Sequence, residues 1–115
     1  MPEWPRIEVL YFDGCPSHAP AGEALREALA GEGIEAGVDA VAVNTDEEAR
    51  RLRFPGSPTI RFGGKDLFPV PEQEDWRLGC RVYATPKGLR GSPTLEMLRE
   101  ALRRALHTGG RRPAS

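Results

Sequence analysis

The chain has 115 residues, 39% of them hydrophobic, and its 16 basic and 17 acidic residues leave a formal charge of -1. That is enough apolar chain for one core and too little for two, and so even a charge balance supplies no drive toward nucleic acid or an anionic membrane. No apolar run is long enough to cross a bilayer, and Met1-Pro2-Glu3-Trp4 lacks the charged start and apolar run of a signal peptide, so a cytoplasmic location is expected.

Arg6 to Phe12 is β-branched and aromatic and stops at Asp13-Gly14, the signature of a strand. Both of its alternating sets are largely apolar, so it reads as central and covered on both faces. A helix follows directly. Pro16 suits its first turn, Pro20 implies regular helix only after His18, and Ala21, Leu25, Ala28 and Leu29 form an apolar stripe that Gly31 and Gly33 end. Ala36 to Val43 reads as a second strand, and Thr45 with Glu48 makes a capping box for a short helix to Leu52. Strand, helix, strand, helix predicts parallel pairing through a right-handed crossover.

The breakers Phe54 to Pro58 lead into a short strand ending at Gly63-Gly64. Pro58 cannot donate to a sheet ladder, so a cis peptide at the start of this strand would be purposeful. Residues 65–79, with the acidic run 72–75, form a long loop whose aromatic neighbours Phe68, Trp76 and Tyr83 either line a substrate groove or anchor the loop to the core, and Cys80 to Thr85 is the fourth strand. Ser92 caps a last helix with Pro93 in its first turn, an apolar stripe of Leu95, Leu98, Leu102, Ala105 and Leu106, and a Glu100–Arg104 surface pair. The expected organisation is one domain over residues 1–107 and a disordered tail over 108–115.

Two cysteines are too few for a secreted disulfide scaffold, which leaves reactivity or plain burial to explain them. Cys15 stands where the first strand feeds the first helix. Unpaired N–H groups and the positive end of the helix dipole favour thiolate over thiol there, making Cys15 the candidate nucleophile. A small buried hydrophobe is the plainer reading. His18 is placed either to stabilise the thiolate and move protons or simply to be solvated in the first turn. Asp13 reads as a turn residue.

The order β-α-β-α-β-β-α, Cys15-Pro16 at the first strand–helix junction and Gly56-Ser57-Pro58-Thr59 before the third strand together resemble the thioredoxin-like superfamily. The resemblance covers most of residues 5–107 and implies an α/β fold with a central mixed four-stranded sheet flanked by three helices. It makes Cys15 the nucleophile and Pro58 a cis-proline, with Ser57, Pro58 and Thr59 seating the substrate. The chain departs from the pattern at His18, which replaces the second cysteine of the motif. Tyr-Phe-Asp-Gly-Cys-Pro, Gly-Ser-Pro-Thr-Ile and Leu-Gly-Cys-Arg-Val-Tyr further resemble a bacterial group of small thioredoxin-like proteins, some labelled as alkylmercury lyase or thiol redox proteins.

The leading expectation is a thiol-dependent redox protein acting on a protein or low-molecular-weight thiol or disulfide, with no cofactor. Cys15 attacks, and Cys80 or an external thiol resolves the mixed disulfide. A second expectation is a soft-metal module binding mercury, copper or zinc through Cys15, His18 and Cys80, should they converge. A third keeps the fold as an interaction scaffold without chemistry.

Overall fold

The computed structural model describes residues 4–71, 76 and 78–108. Its first strand, β1 (Ile7–Tyr11), is central as its composition requires: Ile7 and Val9 enter one apolar cluster and Leu10 another. The helix α1 (His18–Gly31) returns the chain to β2 (Val38–Ala42), which pairs parallel with β1 from Ile7 opposite Val38 to Tyr11 opposite Ala42. The short α2 (Asp46–Leu52) follows. Its capping box forms with a shift: Thr45 Oγ1 accepts from the Glu48 N–H at 3.0 Å, while Glu48 reaches back to the N–H of Asn44 at 3.2 Å.

The third strand, β3 (Thr59–Phe62), runs antiparallel to β1, and the fourth, β4 (Lys65–Asp66), antiparallel to β3. Sheet order is β2-β1-β3-β4, giving an α/β protein with a mixed four-stranded sheet and three helices. The fourth strand is not the expected 80–85. Gly63 and Gly64, at φ 64° and 82°, make a tight turn that delivers Lys65 and Asp66 straight back to β3, closing a much shorter loop than the distant segment could. The Arg61 Nε–Asp66 bond of 2.9 Å locks the pair. Residues 83–85 and 88–90 instead form a separate hairpin, β5 (Tyr83–Thr85) with β6 (Gly88–Arg90).

The last helix, α3 (Leu95–Thr108), is capped by Thr94, whose Oγ1 accepts from the Met97 N–H at 3.1 Å, so the cap falls two residues after the expected Ser92. The helix includes Thr108, placed with the tail by the sequence reading. The remainder of that tail, 109–115, and the acidic run 72–75 lie outside the described residues.

Leu98 and Leu102 on α3 and Leu25 and Leu29 on α1 are buried against Ile7, Val9, Ile60 and Phe62 of the sheet. Leu10, Val43, Ala49 and Phe54 fill the cluster under α2. Each of the Leu, Ile, Val and Phe side chains contributes roughly 1.5–3 kcal/mol by leaving water. Among the described residues no helix is long and apolar enough to cross a membrane.

Candidate functional site

Where β1 ends, the Cys15 N–H bonds the Phe12 carbonyl at 3.1 Å and closes a turn whose third residue, Gly14, has φ 88°. That left-handed conformation disfavours side chains and explains the glycine after Asp13. Asp13 is more than a turn residue. Its N–H donates to Asn44 Oδ1 at 2.9 Å and its carboxylate accepts from Asn44 Nδ2 at 3.2 Å, clamping the Cys15 loop to the end of β2.

The helix α1 starts at His18 with Ser17 as its cap residue, and Ser17 makes no side-chain cap bond. The Ala21 N–H is the first to find a backbone partner, Ser17 O at 3.1 Å, and Pro20 has no N–H at all. The N–H groups of His18 and Ala19 therefore carry the positive end of the dipole, and no acidic side chain in the first turn offsets it. Cys15 immediately precedes this turn. Its side chain is not open to solvent, however: the residue is only 5% exposed, and Cys80 is the exposed thiol.

His18 lies half-buried, its ring stacked on Tyr11 at 4.2 Å and 11°. Its Nδ1 is 3.2 Å from the Cys15 carbonyl. A carbonyl only accepts, so this bond requires a proton on Nδ1. His18 thus braces the cysteine's backbone. Gly91, between β6 and α3, lies so close to Ser17 that a Cβ there would collide with Ser17 Oγ.

The Ser57–Pro58 peptide is cis. Leu10 pairs with Thr59, so Ser57 and Pro58 enter β3 at the end of the sheet from which the Cys15 loop departs. Ser57, Pro58 and Thr59 were expected to seat a substrate, yet all three are buried. The chain itself takes the polar groups this role needs. The Ser57 N–H donates to Gly79 O at 2.8 Å and Ser57 O accepts from the Arg81 N–H at 2.9 Å, a parallel bridge that sets Cys80 opposite Ser57. Pro58 O accepts from the Tyr83 hydroxyl, and Thr59 Oγ1 donates to Gly56 O at 2.6 Å. Ser57 Oγ, in a residue 1% exposed, has no hydrogen-bond partner among the described residues.

The strap 79–81 is anchored by Arg81, a buried cation whose guanidinium bonds Phe68 O, reaches Thr59 Oγ1 at 3.4 Å and lies 4.6 Å from the centre of the Tyr83 ring. Burial pushes the Tyr83 phenol up to about 12, against the pull of Arg81, so it remains a hydrogen-bond donor at neutral pH. Phe68 meets Tyr83 edge-on at 5.5 Å, which fits the anchoring alternative for these two aromatics.

Cys15 and Cys80 are both free thiols. Among the described residues no three His, Cys, Asp or Glu side chains gather closely enough to hold a metal ion, so Cys15, His18 and Cys80 do not converge into the soft-metal set. Asn44, Arg81 and Gly91 escaped the sequence reading. Arg81 and Tyr83 had a signal in their spacing, since alternate residues of an extended segment share a face. Asn44 had none beyond standing before a helix cap. No protein-family model matches the chain, and neither a curated protein nor a solved structure shows significant similarity to it.

Proposed function

We propose that the chain is a thiol-dependent redox protein of thioredoxin-like architecture, with Cys15 and Cys80 as a two-electron couple. The β2-β1-β3-β4 order, the cysteine leading into α1 and the proline at the start of β3 support the architecture. The observation that carries the chemistry is the Ser57–Cys80 bridge, which brings the second free thiol to the sheet end occupied by the first.

Exposure divides the labour and reverses the order suggested by sequence. The Cys80 thiolate attacks a substrate disulfide, forming one S–S bond while one substrate thiolate leaves. Cys15 then attacks the Cys80 sulfur in the mixed disulfide. The second substrate thiol is released, the substrate has gained two electrons and two protons, and the chain holds a Cys15–Cys80 disulfide. An external dithiol restores it. The strap is joined to Ser57 by an isolated bridge, so Cys80 can shift toward Cys15 without dismantling a strand.

The test equilibrates the protein with buffers of graded dithiol–disulfide ratio, followed by alkylation and intact mass. Wild type is expected to lose two hydrogens and both alkylation sites in one transition, and Cys15→Ser is expected to trap the mixed disulfide on Cys80. Two cysteines that oxidise independently, or trapping only in Cys80→Ser, would overturn the couple or the order of attack respectively.

A further inference from the structure

The two edges of the sheet are built differently. At one, β4 is two residues long and both are charged, Lys65 and Asp66, which leaves little ladder for another chain to join. At the other, β2 runs from Val38 to Ala42 with neither proline nor lysine, and its pairing with β1 proceeds without a bulge. Ala40 and Ala42 are exposed. That edge lacks the usual barriers to pairing with a further strand.

Its backbone polarity can be read residue by residue. The N–H and C=O of one strand residue point to the same side and those of its neighbours to the other, and the Val43 N–H donates to Tyr11 O at 2.6 Å. Val43, Val41 and Asp39 therefore turn their backbone groups toward β1. Those of Val38, Ala40 and Ala42 point outward from the edge and have no partner among the described residues. This outward set is symmetric about Ala40. An antiparallel copy of β2 centred there offers every outward donor an acceptor and every acceptor a donor, with Ala40 facing the partner's Ala40 and Val38 the partner's Ala42.

Side chains and charge agree with that register. Ala40 and Ala42 bring only methyl groups to the two-fold axis. Asp39, the one charged residue of the strand, falls opposite the partner's Val41 and not opposite its own kind, and Arg6 Nε already bonds it at 3.0 Å. With a formal charge of -1, two copies meet little long-range repulsion.

We infer that the chain dimerises through β2, pairing it antiparallel with β2 of a second copy about an axis at Ala40 and joining two mixed sheets into one. The inference goes beyond the thiol-exchange reading and does not depend on it. Antiparallel pairing sends the two Cys15 loops toward opposite ends of the joined sheet, so neither site is built from the other copy. One short ladder is a small interface, and monomer and dimer are expected to exchange at micromolar concentrations.

Cys15→Ser with Cys80→Ser keeps disulfide-linked species out of the measurement. In this background sedimentation velocity should show monomer passing to dimer as concentration rises. Amide exchange followed by NMR should show protection that grows with concentration at Val38, Ala40 and Ala42 but not at Asp39 and Val41, which bond β1 in monomer and dimer alike. Ala40→Lys or Ala40→Glu places like charges opposite each other at the axis, so each alone is expected to dimerise about tenfold more weakly than an equal mixture of the two. The exchange measurement needs no substitution on β2, so it stands even where a charged edge unfolds the variants. A monomer at every concentration, protection spread evenly along β2, or a mixture of folded variants no tighter than either alone would overturn the inference. So would a dimer that Leu89→Ser dissociates and Ala40→Lys leaves intact, which would place the contact on the β5–β6 hairpin where Leu89 is exposed.

Discussion

At the contact between α1 and α3, Leu25, Leu29, Leu98 and Leu102 are removed from water and packed on the sheet, whereas the strap 79–81 is joined to Ser57 by two backbone hydrogen bonds. The first region gains from non-directional burial spread over many atoms. The second gains from a few directional polar contacts around Arg81 and Tyr83, worth about 0.5–1.5 kcal/mol net for each neutral bond. Regions of these two kinds open with different free energies in one native molecule. The redox couple proposed above requires this contrast: the scaffold under Cys15 must stay folded while the segment carrying Cys80 moves.

The largest expected effect comes from the buried side. Leu98→Ala leaves a cavity beneath α3 and should cost about 2–5 kcal/mol in urea unfolding. If the regions open separately, it should leave native-state amide exchange at Arg81 close to wild type under conditions where unfolding is rare. Equal acceleration at Arg81 would show one cooperative unit.

A smaller, opposite effect is expected at Gly56, whose φ of 135° is poor for any side chain and whose Cβ would fall 2.9 Å from Arg81 Cβ. Gly56→Ala must push the strap away. It should cost about 1–3 kcal/mol, speed exchange of the Ser57 and Arg81 amides, and raise the rate of Cys80 alkylation. Unchanged alkylation and exchange would mean that the strap does not depend on this close approach.

What the sequence revealed follows from how local each cause is. The strand into Cys15, the α1 stripe, the Thr45–Glu48 cap and the Glu100–Arg104 pair at 2.9 Å are set by neighbours within a few positions, and each appears in the structure. The fourth strand was hidden because Lys65-Asp66 is two polar residues long, with none of the apolar alternation by which a strand is recognised. The site was half legible for the same reason. Cys15 and Pro58 announce themselves in local motifs, but the Asn44 clamp spans 31 positions and the Ser57–Cys80 bridge depends on where the chain returns. Exposure, which distinguishes Cys80 from the buried Cys15, is a property of the packed molecule.

The smallest expected effect sharpens the comparison by asking whether the buried region also depends on charge. Glu32, just past α1, accepts from Arg103 Nε and Nη2 at 2.9 Å each and from Arg99 Nε at 2.7 Å, joining α1 to α3 beside their apolar contact. The hydrogen bonds from Arg103, and then from Arg99, hold its carboxyl at about 2 instead of 4.5. A depressed carboxyl stabilises the fold fully above its unfolded value, and that contribution disappears as pH falls from about 4.5 toward 2. Both arginines are partly solvated, so salt screens the gain and its size is modest. Urea unfolding from pH 6 to 2 should therefore show wild type losing its advantage over Glu32→Gln across that interval, more shallowly at high salt. Parallel profiles would mean that the helix contact is held by its leucines alone, making the difference between the two regions wider than the ion pairs suggest.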